Sequence, residues 1–339
     1  MEEDTVPQMR RTVILAPNWL GDAVMALPAI ADVRRREPQA TIVVAARPAV
    51  APLFTLVREV NAVVVLGARP RVSGWLDAGA ELRSGRFDAA LLLPNSFQSA
   101  LAASRAGIAD RWGYRTDCRR ALLTKSVAPP TQVHQIEYYQ HLVRALGFPS
   151  GPSEPSIEVT PEVRESGRRV LIGAGWDGRT PLVALAPGAA YGGAKRWPPA
   201  YFAELVRALR ADGVLCAMVG SGADRRTGDE IAAASTGHGL IDLIGATDLP
   251  ALAGVLVQCR SLVSNDSGAM HLAAAVGVPV TAMFGPTNDR ATRPPGDHHV
   301  VLTHAVWCRP CMLRECPIDH RCMLGISPNA VHEAARRTL

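Results

Sequence analysis

Eight short apolar and β-branched runs punctuate the chain: 12–17 (TVILAP), 41–46 (TIVVAA), 62–66 (AVVVL), 89–94 (AALLLP), 182–187 (LVALAP), 214–220 (VLCAMVG), 261–265 (SLVSN) and 280–285 (VTAMFG). None alternates cleanly between apolar and polar residues. Such runs read as strands buried on both faces of a parallel sheet. Helical patterns fall between them. Residues 199–211 put Phe202, Leu205, Val206 and Leu209 on one stripe, and 161–173, 249–258 and 267–276 read as further helices. Strands alternating with helices predict doubly wound α/β units. The stretch GFPSGPSEPS at 147–156 breaks the pattern and reads as a connection between two such units. The expected fold class is therefore α/β, with Rossmann-like domains over 1–165 and 180–325. Two such domains create a central cleft, with ligands at the carboxyl ends of the strands.

Composition agrees with a folded protein that has apolar side chains for two cores: 48% of the 339 residues are hydrophobic and 20% charged. No apolar run approaches the roughly 20 residues of a membrane-spanning helix. The opening MEEDTV is acidic and lacks the basic patch and apolar core of a signal peptide, so the expected location is cytoplasmic. The formal charge is +5, and Arg dominates the positive side. That balance suits nucleic acid, an anionic membrane surface or phosphorylated substrates. No RNA-binding signature and no Cys/His finger is present, so nucleic acid is not an expected partner. The run Arg34-Arg35-Arg36 reads as the end of a helix, where cations complement the dipole. Seven cysteines, an odd count, argue for reduced thiols.

Three motifs follow strands. In NWLGDAVMALP (18–28), Gly21 permits a tight turn and Asp22 falls at a helix start. Asp22 reads either as a capping carboxylate or as a general base. PGAAYGGAKRWPP (187–199) combines three glycines, Gly188 among them, with Lys195. This composition suggests phosphate binding through backbone N–H groups and a point charge. Gly188 and Gly193 share the spacing of a phosphate-binding P-loop, but Ala194 separates Gly193 from Lys195 and no Ser or Thr follows to hold magnesium. SNDSGAMHLAAA (264–275) passes from a strand into a helix at Ser267 or Gly268. The first-turn N–H groups of Gly268, Ala269 and Met270 form a ready anion site. Asp266 caps the turn or orients its neighbours. His271 reads equally as a phosphate donor or as a packed helix residue. GAGWDG at 173–178 fits a dinucleotide pattern, but a strand, not a helix, follows it. Cys308, Cys311, Cys316 and Cys322 offer four thiolates to a structural zinc. Their spacing is not that of a standard finger, and loop thiols or disulfides are the competing readings.

With these motifs placed, the chain resembles the ADP-heptose:lipopolysaccharide heptosyltransferases of Gram-negative bacteria, in particular those that add the second heptose. The resemblance runs from about residue 11 to 331 and rests on 18–25, LPNSFQSAL at 93–101, 187–199, 265–275, FGPT at 284–287 and CRPCMLRECP at 308–317. It implies a GT-B fold, with the acceptor on the first domain and the nucleotide-sugar on the second. It also implies an inverting, metal-independent transfer that needs no cofactor beyond the donor ADP-heptose. It places a catalytic carboxylate at Asp22, phosphate-binding groups at Lys195 and from Ser267 to His271, and acceptor contacts at Asn18, Gly21, Asn95, Ser96 and Arg115. The ribose-binding acid has no firm motif, and Asp224 in GSGAD (220–224) is the candidate. The final helix, about 326–339, is expected to pack back on the first domain. The lipid A-core acceptor implies work at the cytoplasmic face of the inner membrane. There Arg105, Arg111, Arg115, Arg119, Arg120 and Lys125 read either as a contact for acidic sugars and phosphates or as a solvated basic face. Two other classes stay open: an enzyme acting on a different nucleotide-sugar, and a non-catalytic nucleotide-sugar-binding protein.

Overall fold

The computed structural model describes residues 10–67, 74–235 and 239–339, so the acidic opening MEEDTV lies outside the described residues. The chain forms two compact units that divide between Pro155 and Ser156. The first unit holds one six-stranded sheet: β1 (Arg11–Leu15), β2 (Thr41–Ala46), β3 (Ala62–Val65), β4 (Ala89–Leu92), β5 (Asp110–Tyr114) and β6 (Lys125–Val127). The second holds another: β7 (Leu182–Ala186), β8 (Leu215–Gly220), β9 (Leu240–Ile244), β10 (Ser261–Asn265), β11 (Val280–Phe284) and β12 (Val300–Thr303). Neighbouring strands all pair in parallel. The orders are β3-β2-β1-β4-β5-β6 and β12-β11-β10-β7-β8-β9, the same topology in each unit.

Burial explains why seven of the eight apolar runs became strands, whereas β3 has no fully buried residue. β4, β7, β10 and β11 are buried at every residue, so no polar alternation interrupts them. β5, β6, β9 and β12 were not expected. They carry Asp110, Arg111, Lys125 and Asp242 or lie on an exposed edge, which hides the apolar signal.

The helix Pro161–Gly173 belongs to the second unit, although the first domain was expected to reach 165. It packs on the helix Leu249–Leu256 through a glycine contact. A Cβ on Gly167 would stand 2.0 Å from the carbonyl carbon of Gly254. The helix Pro199–Ala211 lays Phe202, Leu205, Val206 and Leu209 into the second core, as its stripe predicts. The final helix, Pro328–Arg336, does not use its apolar face on the first unit as expected. Val331 and Ala335 join the second core, and the helix packs on Pro199–Ala211 and on β10 and β11. Upstream, the Trp197 indole donates to the carbonyl of Ile326 at 2.8 Å and anchors the approach to this helix. Among the described residues, no helix is long and apolar enough to cross a membrane.

In both sheets the strand order reverses once, between β1 and β4 and between β7 and β10. Loops leaving these strands diverge at their carboxyl ends, where open α/β sheets receive ligands. The segments 18–28 and 93–101 leave β1 and β4, and the segments 187–199 and 265–275 leave β7 and β10.

Candidate functional site

In the first unit, β1 runs through buried Ala16 into exposed Asn18 and Trp19 and then the helix Leu20–Met25. Trp19, not Asp22, occupies the capping position, and it makes no side-chain cap. Asp22 lies in the first turn, half-buried, where a carboxylate is favoured by the helix dipole. The capping reading of Asp22 therefore gives way. Its neighbour is Tyr139 of the helix Gln135–Ala145, a buried phenol near enough to Asp22 to feel its charge. Burial pushes the Tyr139 phenol well above its ordinary range, and the charge of Asp22 pushes it the same way.

The loop after β4 is held from beneath. Arg119 has no exposed surface. Its Nε donates to the Tyr114 carbonyl at 2.8 Å, and its Nη1 donates to the carbonyls of Pro94 and Ser96 and to Ser99 Oγ. Burial lowers its pKa to about 10, which leaves it charged at neutral pH. Ser96 caps the helix Phe97–Arg105, accepting from the Ser99 amide. The Asn95 amide donates to Tyr138 Oη at 2.8 Å, and Thr116 Oγ1 donates to the Asn95 carbonyl at 2.9 Å. Arg111 is likewise engaged, donating to the carbonyls of Leu122, Ile108 and Ala109. The six basic residues are thus not one solvated face. Arg119 and Arg111 are internal braces, while Arg115, Arg120 and Lys125 are exposed.

In the second unit, one buried side chain closes the loop between β7 and the helix Pro199–Ala211. Asn265, at the end of β10, donates to the Pro187 carbonyl at 2.7 Å and accepts from the Trp197 amide at 3.0 Å. Lys195, within that loop, pairs with Asp266 at 2.6 Å, and Thr287 Oγ1 donates to the same Asp266 oxygen at 2.6 Å. The Lys195 ammonium also lies 4.8 Å from the centre of the Tyr191 ring. Beside this network starts the helix Gly268–Ala275. Ser267 sits at its cap but makes no side-chain cap bond, because its hydroxyl meets Ser264 Oγ at 2.9 Å. Gly268 and Ala269 are half-buried, and Met270 and His271 are buried.

The glycines of 187–199 are points of close approach. A Cβ on Gly188 would lie 2.3 Å from the Asp224 carboxylate, and one on Gly192 would lie 2.3 Å from the Arg314 carbonyl oxygen. The Gly193 amide donates to Glu315 Oε1 at 2.9 Å, and the Ala194 amide donates to the Arg314 carbonyl at 2.9 Å. Tyr191 Oη donates to the Met312 carbonyl at 2.7 Å, and the His320 ring lies 2.7 Å from the Ala194 carbonyl. The cysteine-rich tail is therefore the brace of this loop. The N–H groups of Gly193 and Ala194 are thus occupied. Asp224 is nearly buried, and its Oδ2 accepts from the Ser221 amide at 3.0 Å and hydroxyl at 2.8 Å.

Cys308, Cys311, Cys316 and Cys322 are free thiols. Among the described residues, no three His, Cys, Asp or Glu side chains converge as a metal-holding group, so the candidate zinc ligands are not gathered as one.

Sequence reasoning gave no role to Tyr139, Thr287, Arg314 or Glu315. Thr287 and the two tail residues lie inside segments that carried the family resemblance. Tyr139 lies in an ordinary amphipathic helix and left no local signal.

Chemically, the first unit offers a carboxylate beside hydrogen-bonding loops. The second offers a cation beside an open helix start, an arrangement suited to a diphosphate. Residues 75–321 match glycosyltransferase family 9 (heptosyltransferase). The chain is 32% identical over 304 residues to lipopolysaccharide heptosyltransferase 2 of Salmonella typhimurium, across 84% of this chain and 85% of that protein. Among solved structures it is similar to Escherichia coli ADP-heptose lps heptosyltransferase II, with a TM-score of 0.84 at 29% identity, covering 97% of this chain and 98% of that one. A glycosyl transferase family 9 structure from Veillonella parvula shares the fold, with a TM-score of 0.87 at 21% identity over 97% of each chain.

Proposed function

Since this chain belongs to glycosyltransferase family 9, the heptosyltransferase family, we propose that it moves L-glycero-D-manno-heptose from ADP-heptose to the first heptose of the lipopolysaccharide inner core. The observation that carries the reading is the second unit's pairing of Lys195 and Asp266 beside the uncapped start of Gly268–Ala275, at the point where strand order reverses. A diphosphate leaving group needs such a cation and such N–H donors. The match to heptosyltransferase 2 supports ADP-heptose as the donor and a heptose as the acceptor.

In this reading Asp22 is the general base. It takes the proton of an acceptor hydroxyl while that oxygen forms its bond to the anomeric carbon of the donor heptose. The bond from that carbon to the diphosphate breaks, the electron pair leaves with ADP, and the centre inverts. General-base action contributes about 10²- to 10⁴-fold. Negative charge grows on the leaving diphosphate. Lys195 and the first-turn amides stabilise it, each preorganised donor contributing about 3–4 kcal/mol. Asn18, Gly21, Asn95, Ser96 and Arg115 are assigned to the acceptor, and Ser267 to His271 with Gly188 to the donor. Transfer takes place at the cytoplasmic face of the inner membrane, where exposed Arg115, Arg120 and Lys125 suit anionic sugars and headgroups.

The test is ADP release from ADP-heptose and a lipid A core bearing one heptose. Asp22→Asn is expected to lower turnover by about 10²-fold or more with ADP affinity retained. Lys195→Ala is expected to weaken ADP binding as well. Near-normal turnover in Asp22→Asn would remove the base assignment, and the absence of acceptor-dependent ADP release would remove the function.

A further inference from the structure

Thr287 is a buried side chain for which the reaction as described has no task. It is 5% exposed, in the loop between β11 and the short helix Asp289–Thr292. Asp266 follows β10, the parallel neighbour of β11, so the two side chains meet at one end of adjacent strands. Oδ2 of Asp266 accepts from Thr287 Oγ1 and from Lys195 Nζ, each at 2.6 Å. Both are short, charge-assisted contacts, and both fall on one oxygen. An ammonium is a point charge with rotatable donors, so it fixes its distance to a carboxylate and not the carboxylate's plane. The hydroxyl, borne on a β-branched side chain that is stiff at χ1, supplies the direction. The Thr287 loop is itself clamped from the cysteine-rich tail. Arg309 Nε donates to the Gly285 carbonyl at 2.8 Å. Its Nη2 donates to Asp289 Oδ1 at 2.6 Å and reaches the Thr287 carbonyl at 3.5 Å. The Met312 amide donates to the Pro286 carbonyl at 2.9 Å.

We propose that Thr287, held in place by Arg309, is the positioning residue of the Lys195–Asp266 pair: it fixes the Asp266 carboxylate, which in turn holds the Lys195 ammonium where the donor diphosphate binds. The inference rests on the assignment of Lys195 to that diphosphate. A residue with a packing role alone could be Val, which has nearly the same shape and leaves no hydroxyl to desolvate. Without the hydroxyl, the carboxylate turns about its Cβ–Cγ bond and the ammonium follows it. Binding must then order the cation first, at a cost in affinity. The tail thereby acquires a second task besides bracing the 187–199 loop. Through Arg309 and Met312 it sets the acid against which Lys195 rests.

Thr287→Val removes the hydroxyl and keeps the shape. Titration of the folded full-length variant with ADP is expected to give a Kd about tenfold weaker than the wild type. Thr287→Ser keeps a hydroxyl and should recover most of that affinity. Thr287→Ala also lacks the hydroxyl and crowds nothing; it should match Thr287→Val and replaces it if that variant folds poorly. In a Lys195→Ala background, Thr287→Val should weaken ADP binding no further, because the two side chains act through one contact. Arg309→Met should weaken it in the same direction by less, and an unchanged Kd there removes Arg309 from the chain of contacts. Wild-type ADP affinity in folded Thr287→Val, with Lys195→Ala weakened, overturns the positioning role alone. So does a loss in Thr287→Ser as large as in Thr287→Val, or an equal loss from Thr287→Val with and without Lys195. Wild-type ADP affinity in Lys195→Ala overturns the donor assignment itself.

Discussion

Arg119 carries a positive charge with no exposed surface, and it spans three backbone carbonyls and a serine hydroxyl. Its remaining nitrogen, Nη2, makes no hydrogen bond and faces Gly113, where a Cβ would stand 3.1 Å from it. Gly113 is thus small because the guanidinium fills the space beside it. Arg119→Met keeps much of the volume but strands those carbonyls, and each buried unpaired acceptor costs about 1–3 kcal/mol. We expect a loss of about 2–4 kcal/mol in urea unfolding. The loop after β4 should loosen with it, so that acceptor KM rises while ADP affinity holds. Unchanged stability would show that water replaces the guanidinium at no cost. Arg119 illustrates how a residue escapes sequence reading. In the run CRRALLTK at 118–125 it looks like one cation among several, and only burial separates it from Arg120.

Among the elements, the edge of the second sheet carries a titrating joint. The Val280 amide, at the start of β11, donates to His299 Nδ1 at 3.1 Å, just ahead of β12. That nitrogen accepts only while the ring is neutral. Burial, with His298 adding repulsion, lowers the His299 pKa from its ordinary 6.5 to about 4. The unfolded chain therefore binds a proton that the folded chain refuses. Stability is complete above pH 6.5 and declines as pH falls from 6.5 towards 4. Over that window the loss is at most about 3 kcal/mol. Denaturant unfolding at pH 7 and pH 5 should show the decline in the wild type and a smaller one in His299→Asn; equal declines would exclude His299 as its source. The same sheet shows what sequence reading could reach. β7, β10 and β11 were legible because burial on both faces leaves uninterrupted apolar runs. β9 and β12 were not, because edge strands admit polar residues such as Asp242, which pairs with Arg225. The helix Pro199–Ala211 was legible from its stripe and its starting proline. The site divides in the same way. Asp22, Lys195 and Asp266 stand in compact motifs, whereas the nearness of Tyr139 to Asp22 joins distant parts of the chain and has no local signature.

For the whole molecule, the tail matters more than its length suggests. Ile326, Val331 and Ala335 lie in the second core, and residues 312–320 brace the loop that carries Lys195. Ending the chain after Gly325 should open that core, raise amide exchange along Pro199–Ala211 and β11, and leave exchange in the first unit unchanged. A rise confined to the first unit would support the older expectation that the final helix packs there. The dependence on the tail also orders events during synthesis. The first unit is complete once residue 155 has emerged, and it can fold while the rest is still being made. The loop around Lys195 emerges long before Arg314, Glu315 and His320, and it must wait for them. A nascent chain on the ribosome therefore has its first unit finished while the loop around Lys195 in the second still lacks its brace, which arrives only once residues 312–320 have emerged.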